Sequence, residues 1–496
     1  MYNCFMKFPS FVEKKTFLPL ILTFLLGGLS VFSFAPFSFP FVIFLTFAAL
    51  FVVIEKYDKS HYHVLTFGTG FFLSGVYWLV ICLNQYGQMH FFLAALFTFI
   101  LCIFLSLFFY PIIFYKKYYS SLFFVPALFS LIEWFRSIIF TGFPWLSLGY
   151  SQVPNSPLAG YISILGVHGV TFLILLSLTI ILKIFKEKYN RKSIMLSLFL
   201  IIIWGSGELL KNISWVSKIN SPIKVSLIQG NISQDKKWDN NFLRESLLKY
   251  MDLIKSSSSS LIILPETSIP LMLDQIPKSY LNEVRSHAIK NNGDVIFGVI
   301  ERENGEFYNS AISIGTAPMQ YYRKYHLVPF GEFIPFKKIF GYIYENWLEI
   351  PFSNLSRGSE IQPPIDLNNQ KLGLNICYED VFGYEIIKSL PEATILVNLS
   401  NDAWYGESIA ASQHLQISQA RAMETQRMML RATNTGVTAI IDKNGRLINS
   451  LPQHQVGLLD GFVQGYKGST PFSRYGNYPL IIMCFLYLLF TVRLKK

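Results

Sequence analysis

Charge is missing from long tracts of this chain, and that gap constrains the fold more than any other feature. No Lys, Arg, Asp or Glu lies between Lys15 and Glu55, and none between Lys59 and Lys116. From Tyr118 to Leu182 the only two are Glu133 and Arg136. A water-facing surface is not built from such tracts, whereas a helix that crosses a bilayer needs about 20 mainly apolar residues. Pro, Gly and polar clusters divide the tracts into six expected spans, near 17–34, 38–54, 64–83, 91–114, 121–140 and 160–182. A seventh is expected near 193–210 and a short eighth near 478–492. Composition agrees. The 496 residues are 52% hydrophobic and 15% charged, against about 25% charged in soluble domains. A wholly soluble enzyme, a disordered chain, a collagen and a disulfide-rich scaffold are all excluded.

The net charge of +11 belongs to the apolar part. Residues 1–210 hold 13 Lys/Arg and 6 Asp/Glu, and Arg493, Lys495 and Lys496 close the chain. The 211–492 remainder is nearly neutral, with 26 basic and 25 acidic residues, so no nucleic-acid partner is expected. In an eight-span arrangement the basic residues before span one, between spans two and three, four and five, and six and seven, and after span eight all fall on one side. That positive-inside pattern predicts cytoplasmic termini and an external 211–477 segment. No small-x-small cleavage site follows the first apolar run, so this run is expected to remain an anchor. Glu133 and Arg136, three apart near the external end of span five, read best as a structural ion pair, with a lipid phosphate on Arg136 as the alternative.

Residues 220–470 change character. Apolar runs rich in Val and Ile predict strands at Ile223–Ile228, Leu261–Leu264, Val295–Ile300, Ala311–Ile314, Leu372–Ile376, Ile395–Leu399 and Val437–Ile441. Helical spacing is expected over Phe242–Ile254 and Gln413–Leu430. The expected organisation is therefore a membrane domain of seven helices over 1–210, an external α/β domain over 220–470, and an eighth transmembrane helix at 478–492.

Three segments carry polar groups directly after apolar runs: Leu261-Ile-Ile-Leu-Pro-Glu266, Tyr321-Tyr-Arg-Lys324 (leading on to Glu332), and Leu372-Gly-Leu-Asn-Ile-Cys377-Tyr-Glu379. Cys377 is the only cysteine of the 220–470 segment, so it has no internal disulfide partner there. A carboxylate, an ammonium and a thiol suffice for acyl transfer. The carboxylate takes the thiol's proton, the ammonium favours thiolate and oxyanion, and a second nucleophile discharges the thioester. His326 is not required and is expected to be structural. No metal-ligand cluster is apparent, and no cofactor is expected.

At these residues the chain resembles the nitrilase superfamily, with its Glu–Lys–Cys triad. Over nearly its full length it resembles the apolipoprotein N-acyltransferases. The matching stretches include Glu133-Trp-Phe-Arg136, Phe140-Thr-Gly-Phe-Pro-Trp145, Gln229-Gly-Asn-Ile-Ser-Gln-Asp-Lys-Lys-Trp238, His326-Leu-Val-Pro-Phe-Gly-Glu332, Cys377-Tyr-Glu379, Ser400-Asn-Asp-Ala-Trp404 and Thr470-Pro-Phe-Ser-Arg474. The resemblance implies an αββα sandwich beside a polytopic helical domain in the bacterial cytoplasmic membrane. It implies Cys377 as nucleophile, Glu266 as general base and Lys324 as oxyanion stabiliser, with Trp238, Glu332, Tyr378 and Glu379 shaping the pocket. The implied reaction moves an acyl chain from a phospholipid, typically phosphatidylethanolamine, through a thioester to the α-amine of a diacylglyceryl-Cys apolipoprotein. Two competing readings are a membrane-tethered amidase with water as acceptor and a transporter with an external binding domain. The aromatic stretch 336–352 reads either as a loop packed on its own domain or as a lid resting at the membrane interface.

Overall fold

The apolar runs of the second half are strands because both of their faces are buried. The structure, a computed structural model, describes residues 14–187, 190–336, 338 and 354–494. Its α/β part holds two six-stranded sheets. The first comprises β1 (Val216–Gln229), β2 (Leu261–Ile263), β3 (Asp294–Glu303), β4 (Glu306–Gly315) and β5 (Gln320–Arg323). The second comprises β6 (Ile365–Leu367), β7 (Gln370–Ile376), β8 (Ile395–Ser400), β9 (Met429–Thr433), β10 (Thr438–Ile441) and β11 (Leu447–Leu451). The long β12 (Gly457–Gly468) returns to pair antiparallel with β1, so the orders are β12-β1-β2-β3-β4-β5 and β11-β10-β9-β8-β7-β6.

Period two assigns each side chain to a layer. Leu261, Ile263, Ile395, Val397 and Leu399 enter the core between the sheets. Ile262, Leu264, Val295 and Phe297 point the other way, against helices Asn240–Ser256 and Lys278–Lys290. Leu396 and Met429 face Ala422 of helix Ala410–Thr425 on the far side of the second sheet. The layers run helix, sheet, sheet, helix. The expected strands all coincide with observed ones. The expected helix over Gln413–Leu430 is corrected: it stops at Thr425, Gln426 turns with φ +48°, and Met429 and Leu430 belong to β9.

Helices occupy all eight apolar stretches of the chain. Among the described residues three are long and apolar enough to cross a membrane: Phe91–Lys117, Pro157–Glu187 and Arg191–Leu210. A fourth is added if Ser60–Val76 and Leu79–Tyr86, bent by 60°, form one span. The helices at either end, Leu18–Ser33 and Tyr478–Arg493, are shorter. Leu18, Phe92, Ile201, Ile202 and Phe485 stand exposed on these helices, a surface suited to lipid. The stretch 336–352 lies outside the described residues except for Phe336 and Lys338.

Glu133 and Arg136 are both buried and organise the turn that joins the two parts. Glu133 accepts hydrogen bonds from the Leu148 N–H (2.8 Å) and the Thr171 hydroxyl (2.7 Å). Arg136 donates to the carbonyls of Phe143 and Trp145 and to the Ser147 hydroxyl. The two side chains are 4.0 Å apart. This geometry supports the structural reading, since the guanidinium is occupied by the chain's own oxygens. The turn presents Trp145, whose indole N–H donates to Gln413 Oε1 at 2.7 Å. Gln416 on the same helix donates to the Val153 carbonyl. Helix Ala410–Thr425 therefore carries polar residues on a buried face because that face docks on the apolar helices.

Candidate active site

Three strand ends from two sheets bring the reactive groups together. β2 runs through Leu264-Pro265 into Glu266. That turn rests directly on β3 at Gly298, where a Cβ would fall 2.4 Å from the Thr267 nitrogen and 2.7 Å from Glu266 Cα. Only glycine permits this approach. β5 ends at Arg323, and Lys324 follows it. β7 ends at Ile376, where the chain tightens into a single 3-10 turn, Cys377–Val381. Cys377 opens that turn with φ +54°, a left-handed conformation that is strained for a residue with a side chain. Asn398 Nδ2 donates to the Cys377 carbonyl at 3.1 Å and helps to hold the bend.

Lys324 is fully buried, with its ammonium between two carboxylates. Nζ donates to Glu332 Oε1 at 2.9 Å and to Glu266 Oε1 at 3.4 Å. Asn309 in β4 bridges the same two oxygens, donating through Nδ2 at 2.8 Å to Glu266 and 2.9 Å to Glu332. The Val328 N–H holds the other oxygen of Glu332 at 2.8 Å. Burial by itself would lower the Lys324 pKa, but Glu332 and Glu266 outweigh it and hold the ammonium above its usual value. Burial pushes the Cys377 thiol up, and Glu266 adds to this while Lys324 pulls it back; the balance leaves it above its ordinary range. The resting group is a thiol that feels both the Glu266 carboxylate and the Lys324 ammonium.

Glu379 locks the cysteine turn to the lysine segment. Its Oε1 accepts from the N–H groups of Tyr325 (2.7 Å) and His326 (3.0 Å). Its Oε2 accepts from the Ile376 N–H (2.7 Å) and the Tyr322 hydroxyl (2.9 Å). Burial pushes Glu379 up to about 7 against the pull of those backbone donors. Tyr378 points elsewhere: its hydroxyl donates to the Gly142 carbonyl at 3.2 Å, at the junction with the apolar helices. Trp238 packs beside Ile300, Leu327 and Leu355. His326 pairs with Glu385 at 2.9 Å and stacks on Phe382, so it takes no part in the Glu266–Lys324–Glu332 cluster.

Behind Cys377 lies a buried ionic network that the sequence did not reveal. His414 Nε2 lies 3.3 Å from the Cys377 carbonyl and 2.8 Å from Asp380 Oδ1, while its Nδ1 lies 2.8 Å from Asp402 Oδ1. Arg431 donates to Asp402 Oδ2 at 2.8 Å and to Asn398 Oδ1 at 2.7 Å. Burial and Arg431 would lower His414, yet Asp380 and Asp402 raise it to about 9. Sequence reading also missed Asn309 and Lys237. A faint signal existed for Asn309 and Arg431, polar side chains set among buried strand residues. Among the described residues no group of three or more His, Cys, Asp or Glu is arranged to hold a metal ion.

Two families match the chain in its two parts. Residues 224–469 match the carbon-nitrogen hydrolase family, and residues 26–180 match the apolipoprotein N-acyltransferase N-terminal domain. The chain is 45% identical over 471 residues to an apolipoprotein N-acyltransferase from Nitrosomonas europaea, covering 92% of this chain and 94% of the relative. It is 37% identical to one from Chromobacterium violaceum, over 95% of this chain and 92% of the relative. Among solved structures, a CN-hydrolase superfamily protein from Xanthomonas campestris with an arsenic adduct in its active site is 17% identical. That match covers 49% of this chain and 91% of the other, with a TM-score of 0.37.

Proposed function

This chain belongs to the apolipoprotein N-acyltransferase family, and from that membership we propose that Cys377, Glu266 and Lys324 carry out N-acylation of lipoproteins through a cysteine thioester. Glu266 takes the thiol proton as sulfur attacks the ester carbonyl of a phospholipid, with phosphatidylethanolamine as the donor. Lys324 stabilises the oxyanion. The tetrahedral intermediate collapses, the C–O bond breaks, and the lysophospholipid alkoxide leaves with the proton held by Glu266. In the second half-reaction the α-amine of a diacylglyceryl-Cys apolipoprotein attacks the thioester. An α-amine has a pKa near 8, so a useful fraction is neutral at about pH 7. Glu266 accepts the amine's remaining proton and returns it to the departing sulfur. The amide is far more stable than the thioester, so this step runs downhill.

One observation carries the reading: Lys324 Nζ sits between Glu266 and Glu332, on a segment that Glu379 ties to the turn bearing Cys377. Trp238, Glu332, Tyr378 and Glu379 form the supporting shell. Glu332 positions the lysine, Glu379 fixes the spacing of the two loops, and Tyr378 anchors the cysteine turn to the apolar helices. The test is to incubate the detergent-solubilised protein with an alkyne-tagged phospholipid. A hydroxylamine-labile adduct on the Cys377 peptide is expected, and its absence under conditions where the amine is acylated would sink the thioester route. Lysophospholipid release without amine acylation would instead favour a hydrolase that uses water.

Family membership together with the apolar helices points to the bacterial inner membrane. Eight spans, cytoplasmic termini and an α/β domain on the outer face are the arrangement that the loop charges favour. Ser258 is exposed on the α/β domain, so a Ser258→Cys reporter should react with a membrane-impermeant maleimide on intact spheroplasts. Labelling only after lysis would reverse the orientation.

A further inference from the structure

Lys237 is a second buried lysine at this site, only 4% exposed, on the helical turn Gln234–Lys237 just before Trp238. Its Nζ donates to the backbone carbonyl of Glu266 at 3.2 Å and to the Thr267 hydroxyl. Among the described residues no carboxylate lies within ion-pair distance of it. Lys324 is in the opposite situation, held by Glu266 and Glu332 together. The two lysines therefore differ in how much positive charge each leaves for a reacting anion.

The charges of Glu266, Glu332 and Lys324 sum to −1, and Glu379, raised by burial to about 7, adds part of a further negative charge. The network behind Cys377 adds nothing, because Asp380 and Asp402 are matched by His414 and Arg431. Without a further cation, a thiolate or an oxyanion would form beside a buried site that is already negative. Lys237 offsets one unit of this negative charge. In a poorly solvated site one unbalanced unit charge weighs far more than it would in water.

We propose that Lys237 is the second cation of the reaction centre, and that its ammonium, held by neutral oxygens alone, supplies the positive charge that the Cys377 thiolate and the tetrahedral oxyanion require. The inference rests on Cys377 being the nucleophile. It adds a residue to the triad and assigns Lys324 a divided role, since much of its field is cancelled by its two carboxylates. Burial lowers Lys237 to about 8, while Glu266 and the Cys377 thiolate pull it upward. Formation of the thiolate thus helps to keep the ammonium protonated at the moment its charge is needed. Lys324 remains the stronger influence on the thiol at rest.

The bland role for Lys237 is to tether the Glu266–Thr267 turn, where Thr267 has φ +42°. That task needs only N–H donors. A neutral amide would do it without the cost of burying an ammonium. Charge and hydrogen bonding can therefore be separated by substitution.

The experiment is the rate of Cys377 alkylation by iodoacetamide, read by mass spectrometry of the Cys377 peptide from about pH 6 to about pH 10, on full-length protein in detergent. Alkylation reports the thiolate directly and needs no phospholipid, so it stands apart from the thioester test. Lys237→Gln keeps an amide N–H donor, one bond shorter, and removes the charge. It should raise the alkylation midpoint by about one pH unit or more and slow alkylation near neutral pH by about tenfold, with an unchanged melting temperature. Lys237→Arg stays charged and should leave the midpoint at or below the parent's. If the glutamine profile superimposes on the parent's, or if arginine raises the midpoint as glutamine does, Lys237 is a tether and the proposal is overturned. Should the glutamine variant not fold, Lys237→Met removes the charge at similar volume, and a midpoint equal to the parent's in that variant overturns the proposal.

Discussion

Cys377→Ala should abolish both the acyl-enzyme and N-acylation, and Glu266→Gln and Lys324→Met should come close to doing so. The expected loss is about a thousandfold or more for each, because nucleophile, base and cation act as a unit and no member works alone. The geometry says what each change removes. Glutamine at 266 keeps an oxygen for Asn309 and Lys324 but cannot take the thiol proton. Burial, the larger cause of the raised thiol, persists in that variant, so little thiolate forms without an acceptor. Methionine at 324 keeps the buried volume but leaves Glu266 and Glu332 converging on Asn309 with no cation between them. Like charges at that spacing force a proton onto one carboxylate, so the base is lost together with the oxyanion donor. The measurement is the hydroxylamine-labile adduct from tagged phospholipid, at matched melting temperatures. An adduct on the Cys377→Ala protein would refute the nucleophile assignment outright.

Asp402→Asn should be the most costly change for stability. Asp402 is fully buried and accepts from His414, Arg431 and the Ser400 hydroxyl. Removing its charge leaves two buried cations facing Asp380 alone. Breaking such a cluster from one side costs about 3–5 kcal/mol, which corresponds to roughly 10 °C in melting temperature for a domain of this size. The same network predicts a pH dependence in the parent protein. The His414 pKa is raised on folding from its ordinary 6.5 to about 9. Its stabilising contribution is therefore complete below about pH 6.5 and is lost as pH rises through about 9. Melting temperature should fall across that window, and the fall should be smaller in His414→Gln. A parent whose melting temperature is flat from about pH 6.5 to about pH 9.5 would show that His414 is not held as a cation.

The architecture was legible where burial repeats along neighbouring residues. The charge-poor tracts marked the apolar helices, because a helix surrounded by apolar matter carries charge only where it is paired, as Glu133 and Arg136 are. Val295–Ile300 and, but for Asn398, Ile395–Leu399 read as apolar runs because one set of alternate side chains enters the inter-sheet core and the other packs on helices. The reactive types at three strand ends were equally visible, since polar groups directly after such runs stand out. Where alternation was weak, reading failed. The mostly exposed β11 was missed, and the end of the helix over Gln413–Leu430 was misplaced. Met429 and Leu430 suit a helix or a strand, and only pairing of β9 with β8 and β10 decides between them.

The tertiary structure decided which charges meet. Glu266 and Lys324 are 58 residues apart, and Lys324 and Glu332 are eight apart. Nothing local states that one lysine is shared between two carboxylates while its neighbour in space, Lys237, has none. Gln413 and Gln416 look like solvent-facing helix residues, yet they dock on Trp145 and Val153. Asp402, Arg431 and His414 look unremarkable singly, and they become a closed ionic network only when two helical turns and a strand converge behind Cys377. Burial leaves its mark on adjacent residues and so can be read along the chain. Electrostatic pairing depends on which loops arrive at the same point, and that is settled only when the sheets and helices pack.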